Sequence, residues 1–139
     1  MNSIKIIGVG KIKDKRIQSL IDEYLKRLKV FRKIEVFELK DKGIEKESEE
    51  ISKLIDSDTY ILDELGANYS SLDFSELLNN DSNIKFIIGG ADGIKKETKS
   101  KAKLLSLSAM TFTHELARMV LIEQVYRAIM IINNRSYHK

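Results

Sequence analysis

LLSLSAMTFTHELARMVLIEQVYRA, residues 104–128, is the stretch that decides the fold. A short apolar strand pattern leads through small and hydroxyl residues into a long helix pattern. Apolar residues occur on nearly every face of that helix, although Arg118, Glu123, Gln124 and Arg127 lie among them. A helix that is apolar all round is buried all round, and buried charges need partners. In a chain of 139 residues, such burial favours a second subunit that covers one face.

The rest of the chain alternates between strand and helix patterns. Strands are predicted at 3–9, 33–39, 59–63 and 85–88 and at the start of the quoted stretch, and each is followed by a helix pattern, including a lysine-rich one near 95–103. This alternation predicts an α/β fold, a single domain over residues 1–139 with a mostly parallel sheet and helices on both faces. Residues 33–39 alternate apolar and charged, as expected near a sheet edge. The run LGANYSS reads as a turn in which Gly66 and Asn68 allow positive φ.

Composition narrows the classes of function. The chain has no cysteine, which excludes disulfides, thiolate catalysis and zinc–cysteine clusters. With only two histidines, His114 and His138, we expect no transition-metal site. No apolar run approaches the ~20 residues that a membrane span needs, and the first residues lack the features of a signal peptide. We therefore expect a cytoplasmic protein.

Charge is distributed unevenly along the chain. Residues 1–33 carry ten Lys and Arg against three acids, residues 34–84 carry four against 14, and residues 85–139 carry ten against four. If the basic ends meet in the fold, they form one face suited to a phosphate backbone. Solvated lysine-rich helix faces would give the same pattern, so charge alone leaves RNA binding open.

Three predicted strands end in small or flexible residues, at 62–66, 89–93 and 107–113. Ligands of open α/β sheets bind beyond the carboxyl ends of the strands, so these ends predict one pocket if the strands are neighbours. GGADG at 89–93 matches neither a dinucleotide fingerprint nor a Walker loop. A tight turn out of a buried strand explains it equally well.

The loop at 107–112 is more informative. Leu107, Met110 and Phe112 flank exposed backbone groups, and an adenine ring needs apolar walls and an edge of hydrogen bonds. The alternative is an ordinary strand-to-helix connection with Thr113 as the helix cap. His114, in the first helical turn, is more often structural than catalytic.

Two further features are ambiguous. Glu123 and Arg127 are four residues apart and can pair on one helix face, for which a structural ion pair is the default. The tail at 133–139, NNRSYHK, is polar, aromatic and basic. Termini usually fray, but Tyr137 and His138 with a lysine can also cover a site.

The runs FIIGGADGI (86–94) and LSLSAMTFTHELARMVLIEQVYRA (105–128), with the terminal YHK, resemble the RlmH family of SPOUT-class RNA methyltransferases. The opening IKIIGVGKIKD is similar too, so the resemblance covers essentially the whole chain. It implies an α/β sheet with a C-terminal trefoil knot, a homodimer, and S-adenosylmethionine as cofactor. It also implies methylation of the imide nitrogen, N3, of a pseudouridine in helix 69 of 23S ribosomal RNA on the assembled ribosome.

The resemblance also implies roles by position. The cofactor would be held by the three strand ends, namely Leu62, Gly89, Gly90, Leu107, Ser108, Ala109, Met110, Thr111 and Phe112. Catalytic or substrate-facing roles fall on His138, Tyr137, Glu123 and Arg127, with Lys139 beside them. An imidazole exchanges protons near neutral pH, so His138 is the first candidate base and Glu123 the second. Thr113 stands where the family usually has proline.

Three alternatives stay open at this point. The same fold can methylate another RNA site, such as a ribose hydroxyl. The chain can instead be a dimeric RNA-binding module without catalysis, which need not bind S-adenosylmethionine. A flavodoxin-like nucleotide binder is the third, and visible flavin absorbance would support it.

Overall fold

The computed structural model describes residues 3–139. Its strands form one five-stranded sheet. The elements in chain order are β1 (Ile4–Val9), α1 (Lys15–Leu28), β2 (Ile34–Leu39), α2 (Ile44–Leu54), β3 (Thr59–Asn68), α3 (Ser71–Asn80), β4 (Lys85–Ile87), α4 (Lys96–Lys99), β5 (Lys103–Ser106) and α5 (His114–Ile132). All strand pairs are parallel, in the order β2-β1-β4-β3-β5. The predicted α/β class and parallel sheet are confirmed. Residues 1 and 2 of the predicted domain lie outside the described residues.

Apolar side chains cover both faces of the sheet, because successive residues of a strand point to opposite sides. Ile4 and Ile6 of β1 join a large cluster with α1, α3 and α5, whereas Ile7 and Val9 join a smaller cluster that includes Ile51 of α2. Helices therefore pack on both faces, as predicted. β2 lies at one edge of the sheet, which confirms the prediction from its alternating pattern.

β3 differs from its prediction. The strand continues through the expected turn to Asn68, and neither Gly66 nor Asn68 has a positive φ. A register shift interrupts its pairing with β5. A Cβ at Gly66 would lie 2.5 Å from the carbonyl carbon of Leu104, so the close approach of the two backbones, rather than a turn, explains this glycine. The helix predicted near 95–103 is also shorter and is confined to α4, because β5 already begins at Lys103.

Seven of the 19 residues of α5 are buried, and Leu121, Ile122 and Val125 are inaccessible to solvent. The burial on every face that its composition predicted is therefore not reached within one chain. One strip stays open: Leu116 is 44% exposed, and Val120, one turn further on, is partly exposed. We call this the open strip of α5. Despite its apolar character, neither α5 nor any other helix within residues 3–139 is long and apolar enough to cross a membrane.

Candidate active site

One cavity of about 580 Å³ is surrounded by residues 62–64, which lie within β3, and by the segments that follow the carboxyl ends of β4 and β5. The parallel sheet brings these predicted segments to the same edge, and the first turn of α5 adds His114 and Ala117. Eight of the nine predicted cofactor residues line this cavity, namely Leu62, Gly89, Gly90, Leu107, Ser108, Met110, Thr111 and Phe112. Ala109 is not among its lining residues.

The GGADG run forms the tight turn that its glycines indicated. Gly93 has a φ of +79°, and its amide donates to the carbonyl oxygen of Gly90 over 3.0 Å. The turn folds Ile94 back against Gly89, where a Cβ would lie 2.8 Å from Ile94 Cγ1. The glycine at position 89 therefore lets Ile94, which also lines the cavity, pack directly against its backbone.

The loop between β5 and α5 is shaped by its own hydroxyl groups. Ser106 Oγ donates to the carbonyl oxygen of Ser108 over 2.8 Å, and Ser108 Oγ accepts from the amide of Met110 over 3.0 Å. Met110 and Phe112 are exposed at the cavity despite their large apolar side chains. Apolar walls of this kind suit a flat ring system.

One part of the cavity wall is charged, which the sequence did not predict. The Asp63 carboxylate, at the position after Leu62 in β3, lies 2.6 Å from the Lys99 ammonium. The amide of Leu65 donates to the same carboxylate over 2.8 Å. Burial by itself would raise the pKa of Asp63, but the hydrogen bonds from Lys99 and Leu65 outweigh it and hold the pKa below its usual value. Asp63 is therefore ionised at neutral pH.

Glu64 extends this charged region towards the β5–α5 loop. Thr111 Oγ1 donates to Glu64 Oε1 over 3.4 Å, and both residues are exposed. Together with Asp63 and Lys99, Glu64 gives the cavity two carboxylates and one ammonium group. We call these three residues the charged wall.

The first turn of α5 attaches the helix to the loop between β1 and α1. Thr113 Oγ1 caps the helix by accepting from the amide of Leu116 over 3.3 Å. The Glu115 carboxylate accepts from the amides of Lys13 and Asp14 over 2.9 and 3.1 Å. These hydrogen bonds, that of Lys13 first, lower the pKa of Glu115 below its usual value. Glu115 therefore connects the first turn of α5, which lines the cavity, to the loop between β1 and α1.

Arg118 makes a second attachment and is only 2% exposed. Its Nη1 donates to Glu38 Oε2 over 2.5 Å, and its Nη2 donates to the carbonyl oxygen of Gly10 over 3.0 Å. Its Nε is buried without a hydrogen-bond partner among the described residues. Because a buried cation needs an opposite charge, the pair with Glu38 fixes α5 to the edge strand β2.

The C-terminal tail packs on α5 and does not fray. Tyr137 Oη donates to Glu123 Oε2 over 2.6 Å, and Arg127 Nη2 donates to the same oxygen over 2.9 Å, which confirms the predicted Glu123–Arg127 pair. Arg127 Nη1 donates to Nδ1 of His138 over 3.1 Å. The four residues predicted to be catalytic thus form one hydrogen-bonded group, which we call the tail cluster.

Proton positions in the tail cluster follow from its partners. A guanidinium can only donate, so Nδ1 of His138 accepts, and a neutral ring then carries its proton on Nε2. Burial, followed by the hydrogen bond to Glu123, raises the pKa of Tyr137. The Tyr24 hydroxyl oxygen lies 3.0 Å from that of Tyr137. At neutral pH Tyr137 is therefore a hydrogen-bond donor and not a base.

The tail cluster lies apart from the cavity within the same chain. Ala117 lines the cavity, whereas Glu123 comes six residues later in α5, about 9 Å along the axis at ~1.5 Å per residue. Tyr137 and His138 are not among the lining residues. The predicted cofactor residues and the predicted catalytic residues form two groups, with the open strip of α5 between them.

Sequence reasoning missed Asp63, Lys99 and Tyr24. Asp63 had a usable signal, because it directly follows Leu62 at a strand end where ligands bind. Lys99 sits in a lysine-rich segment, and Tyr24 lies within the helical pattern of α1. Neither of these two positions differs from an ordinary surface residue until the fold brings its partner close.

Comparisons with known proteins relate this geometry to a family. Residues 2–138 match the family model described as "Predicted SPOUT methyltransferase". A protein from Mycoplasmopsis synoviae (strain 53) named "Ribosomal RNA large subunit methyltransferase H" is 44% identical over 146 residues, with 99% of each chain covered. A protein of the same name from Thermodesulfovibrio yellowstonii is 41% identical over 145 residues, again with 99% of each chain covered.

A solved structure agrees at the level of the fold. The crystal structure of a tRNA methyltransferase from Aquifex aeolicus has a TM-score of 0.56 at 15% identity, and the match covers 91% of this chain and 70% of that one. At this identity the likeness supports the fold alone. The family model and the full-length relatives carry more weight, and they show that the chain belongs to the SPOUT methyltransferases, among the relatives named ribosomal RNA large subunit methyltransferase H.

Proposed function

We propose that the protein transfers a methyl group from S-adenosylmethionine to N3, the imide nitrogen, of a pseudouridine in helix 69 of 23S ribosomal RNA in the assembled ribosome. One observation carries the proposal: the cavity lies at the predicted strand ends of a chain whose full-length relatives are named for methylation of large-subunit rRNA. We also propose that residues 1–139 are a single SPOUT domain that acts in the cytoplasm.

The residues around the cavity fit the cofactor. Small-ligand sites measure roughly 300–1,000 Å³, and this cavity measures about 580 Å³. Leu107, Met110 and Phe112 offer apolar walls for the adenine, and Gly89 lines the cavity beside Ile94. Leu62, Gly90 and the rest of the loop at 107–112 complete the proposed binding set. When bound, the cofactor supplies an electrophilic methyl group.

A C-terminal trefoil knot is part of the proposal. β5 pairs with β3 at one edge of the sheet, whereas Arg118 of α5 bonds to Gly10 after β1 and to Glu38 of the opposite edge strand. The chain therefore crosses the carboxyl end of the sheet between β5 and α5. This crossing supports a threaded path, which is rare enough that no sequence pattern predicts it by itself.

A homodimer would explain the open strip of α5. Leu116, Val120 and the exposed Leu20 of α1 are apolar residues that a monomer would leave in water. Contiguous exposed apolar surface commonly marks an interface. Because the tail cluster lies apart from the cavity of its own protomer, we propose that the tail of one protomer completes the site of the other.

The proposed reaction is an in-line displacement: the imide nitrogen would gain the methyl group as the methyl–sulfur bond breaks, S-adenosylhomocysteine would leave, and the imide proton would pass to a base. Much of the rate would come from positioning. His138 is the first candidate to accept the proton and Glu123 is the second. Nδ1 of His138 already accepts from Arg127, so this hydrogen bond must break before either ring nitrogen can act as the base. Nε2 is free of its proton only in the tautomer that carries the proton on Nδ1, and a protonated Nδ1 cannot accept from Arg127.

Ribosomal RNA would bind through basic residues from both ends of the chain. Lys11 and Lys13 are exposed on the loop that Glu115 attaches to the start of α5, next to the cavity, and Lys15 is exposed at the start of α1. Contacts of this kind release counterions from RNA, so binding should weaken as salt rises.

The experiment that tests the proposal uses methyl-labelled S-adenosylmethionine and ribosomes from a strain that lacks the modification, followed by mapping of the labelled nucleotide. Label at another nucleotide would favour a different RNA site for the same fold. Failure to bind S-adenosylmethionine would favour an RNA-binding module without catalysis.

A further inference from the structure

The charged wall of the cavity holds groups that the proposed reaction does not use. Asp63, Glu64 and Lys99 all line the cavity, yet none is needed to explain adenine binding or proton removal. We infer that this wall selects the cofactor by its net charge, so that the S-adenosylmethionine cation binds more tightly than the neutral product S-adenosylhomocysteine. The inference rests on the proposed function, because it concerns the same cavity.

The wall carries one net negative charge in a partly enclosed position. The Asp63 side chain is 9% exposed, and the Lys99 ammonium and the Leu65 amide hold its carboxylate in place. Lys99 balances one of the two carboxylates, and Glu64 supplies the other from the more exposed side. Charges on the wall of a cavity are screened less by water and salt than charges on an open surface.

The possible ligands of this cavity differ by one charge and little in shape. S-adenosylmethionine combines a sulfonium, an ammonium and a carboxylate, and so has one net positive charge. Loss of the methyl group leaves a neutral thioether, so that S-adenosylhomocysteine has no net charge. Sinefungin has a protonated amine in place of the sulfonium and keeps the positive charge. A wall with one net negative charge therefore favours the first and third ligands over the second.

Electrostatics sets the size of the expected effect. Consider one unit charge of the wall at roughly 6 Å from the positive charge of the ligand, with an effective dielectric constant of roughly 40. Their attraction changes the dissociation constant of the ligand by about tenfold. Selection of this size would favour exchange of product for fresh cofactor after each methyl transfer. It requires no movement of the protein.

The test is calorimetric binding of the three ligands to the full-length protein and four variants. Asp63→Asn and Glu64→Gln should each weaken binding of S-adenosylmethionine and sinefungin by about five- to tenfold, with S-adenosylhomocysteine affected by less than about twofold. Lys99→Gln removes the positive charge of the wall, so it should have the opposite effect. Binding of S-adenosylmethionine and sinefungin should become tighter relative to binding of S-adenosylhomocysteine. Asp92→Asn is the matched control, because Asp92 lies in the GGADG turn but is not among the lining residues.

The outcomes separate the inference from the proposed function. If a variant changes binding of all three ligands by the same factor, the wall has only a structural role and the inference is overturned. If the unmodified protein binds none of the three, the proposed cofactor is wrong. If Asp63→Asn fails to fold, the Glu64→Gln and Lys99→Gln variants still test whether the wall selects ligands by charge. Glu64 is exposed, and the shift expected for Lys99→Gln has the opposite direction.

Discussion

The guanidinium of Arg118 occupies the space that a side chain at Gly8 would need. A Cβ at Gly8 would lie 2.5 Å from Cζ and 2.8 Å from Nε of Arg118, and would overlap Nη2. Glycine inside a strand is usually unfavourable, and here it makes room for a buried cation. The first strand of the chain and its last helix are therefore fitted to each other.

Substitution Gly8→Ala should destabilise the protein by about 2–3 kcal/mol, because Arg118 must move away from Glu38 and Gly10. The free energy of unfolding in urea measures this at one fixed protein concentration. Ser19→Ala, on the exposed surface of α1, is the control and should stay within about 0.5 kcal/mol. A value for Gly8→Ala inside that same range would contradict the role given to Arg118.

Glu115 predicts a pH dependence of stability. Hydrogen bonds from the Lys13 and Asp14 amides lower its folded-state pKa, so the unfolded state binds the proton more readily. Its contribution to stability is therefore present above the unfolded pKa of ~4.3 and is lost as pH falls through the folded value. The stability difference between the unmodified protein and Glu115→Gln should be constant from about pH 6 to 8 and shrink below about pH 4.

Urea unfolding across this pH range measures the difference. Glu76→Gln, exposed on α3, is the control for general charge effects. A Glu115→Gln difference that stays the same down to about pH 3 would show that the carboxylate makes no such contribution.

The open strip of α5 predicts how the oligomeric state responds to charge. Leu116→Glu places a carboxylate at the centre of the proposed interface, where its desolvation is costly. Light scattering at micromolar concentration should then give the mass of one chain. Val30→Glu changes another exposed apolar residue, at the end of α1, and should leave the dimer intact. A monomeric unmodified protein, or a dimeric Leu116→Glu variant, would refute this interface.

His138→Ala should lower the single-turnover rate of methylation by about 10²- to 10⁴-fold if His138 is the general base. Ser136→Ala changes the same tail without touching the cluster and serves as its control. An unchanged rate for His138→Ala, together with a large loss for Glu123→Gln, would transfer the role of base to Glu123.

Much of the fold could be predicted from local patterns, because the spacing of apolar residues reports which faces of a strand or helix are buried. The alternation of strand and helix patterns predicted the parallel sheet. The alternation of apolar and charged residues in β2 predicted its position at an edge of the sheet. The end of β3 could not be found this way. Whether residues 64–68 continue the strand depends on the backbone of β5, which approaches Gly66 closely.

Part of the candidate site could likewise be predicted from the sequence, and part of it could not. Strand ends with glycine or hydroxyl residues were recognisable because parallel strands bind ligands at their carboxyl edge. The pairing of Asp63 with Lys99 was not recognisable, since the two residues are distant in sequence and the lysine looks like a surface residue. The residues of the tail left open whether it frays or covers a site, because its packing depends on Tyr24 and Glu123, which only the fold brings to Tyr137.

The most direct measurement is the position of the methyl group. The protein is incubated with methyl-labelled S-adenosylmethionine and ribosomes from a strain that lacks the modification, and the labelled nucleotide is then mapped in the large-subunit RNA. We expect label on N3 of one pseudouridine in helix 69, on assembled ribosomes. Label on a different nucleotide or atom, or no transfer by a protein that binds the cofactor, would contradict it.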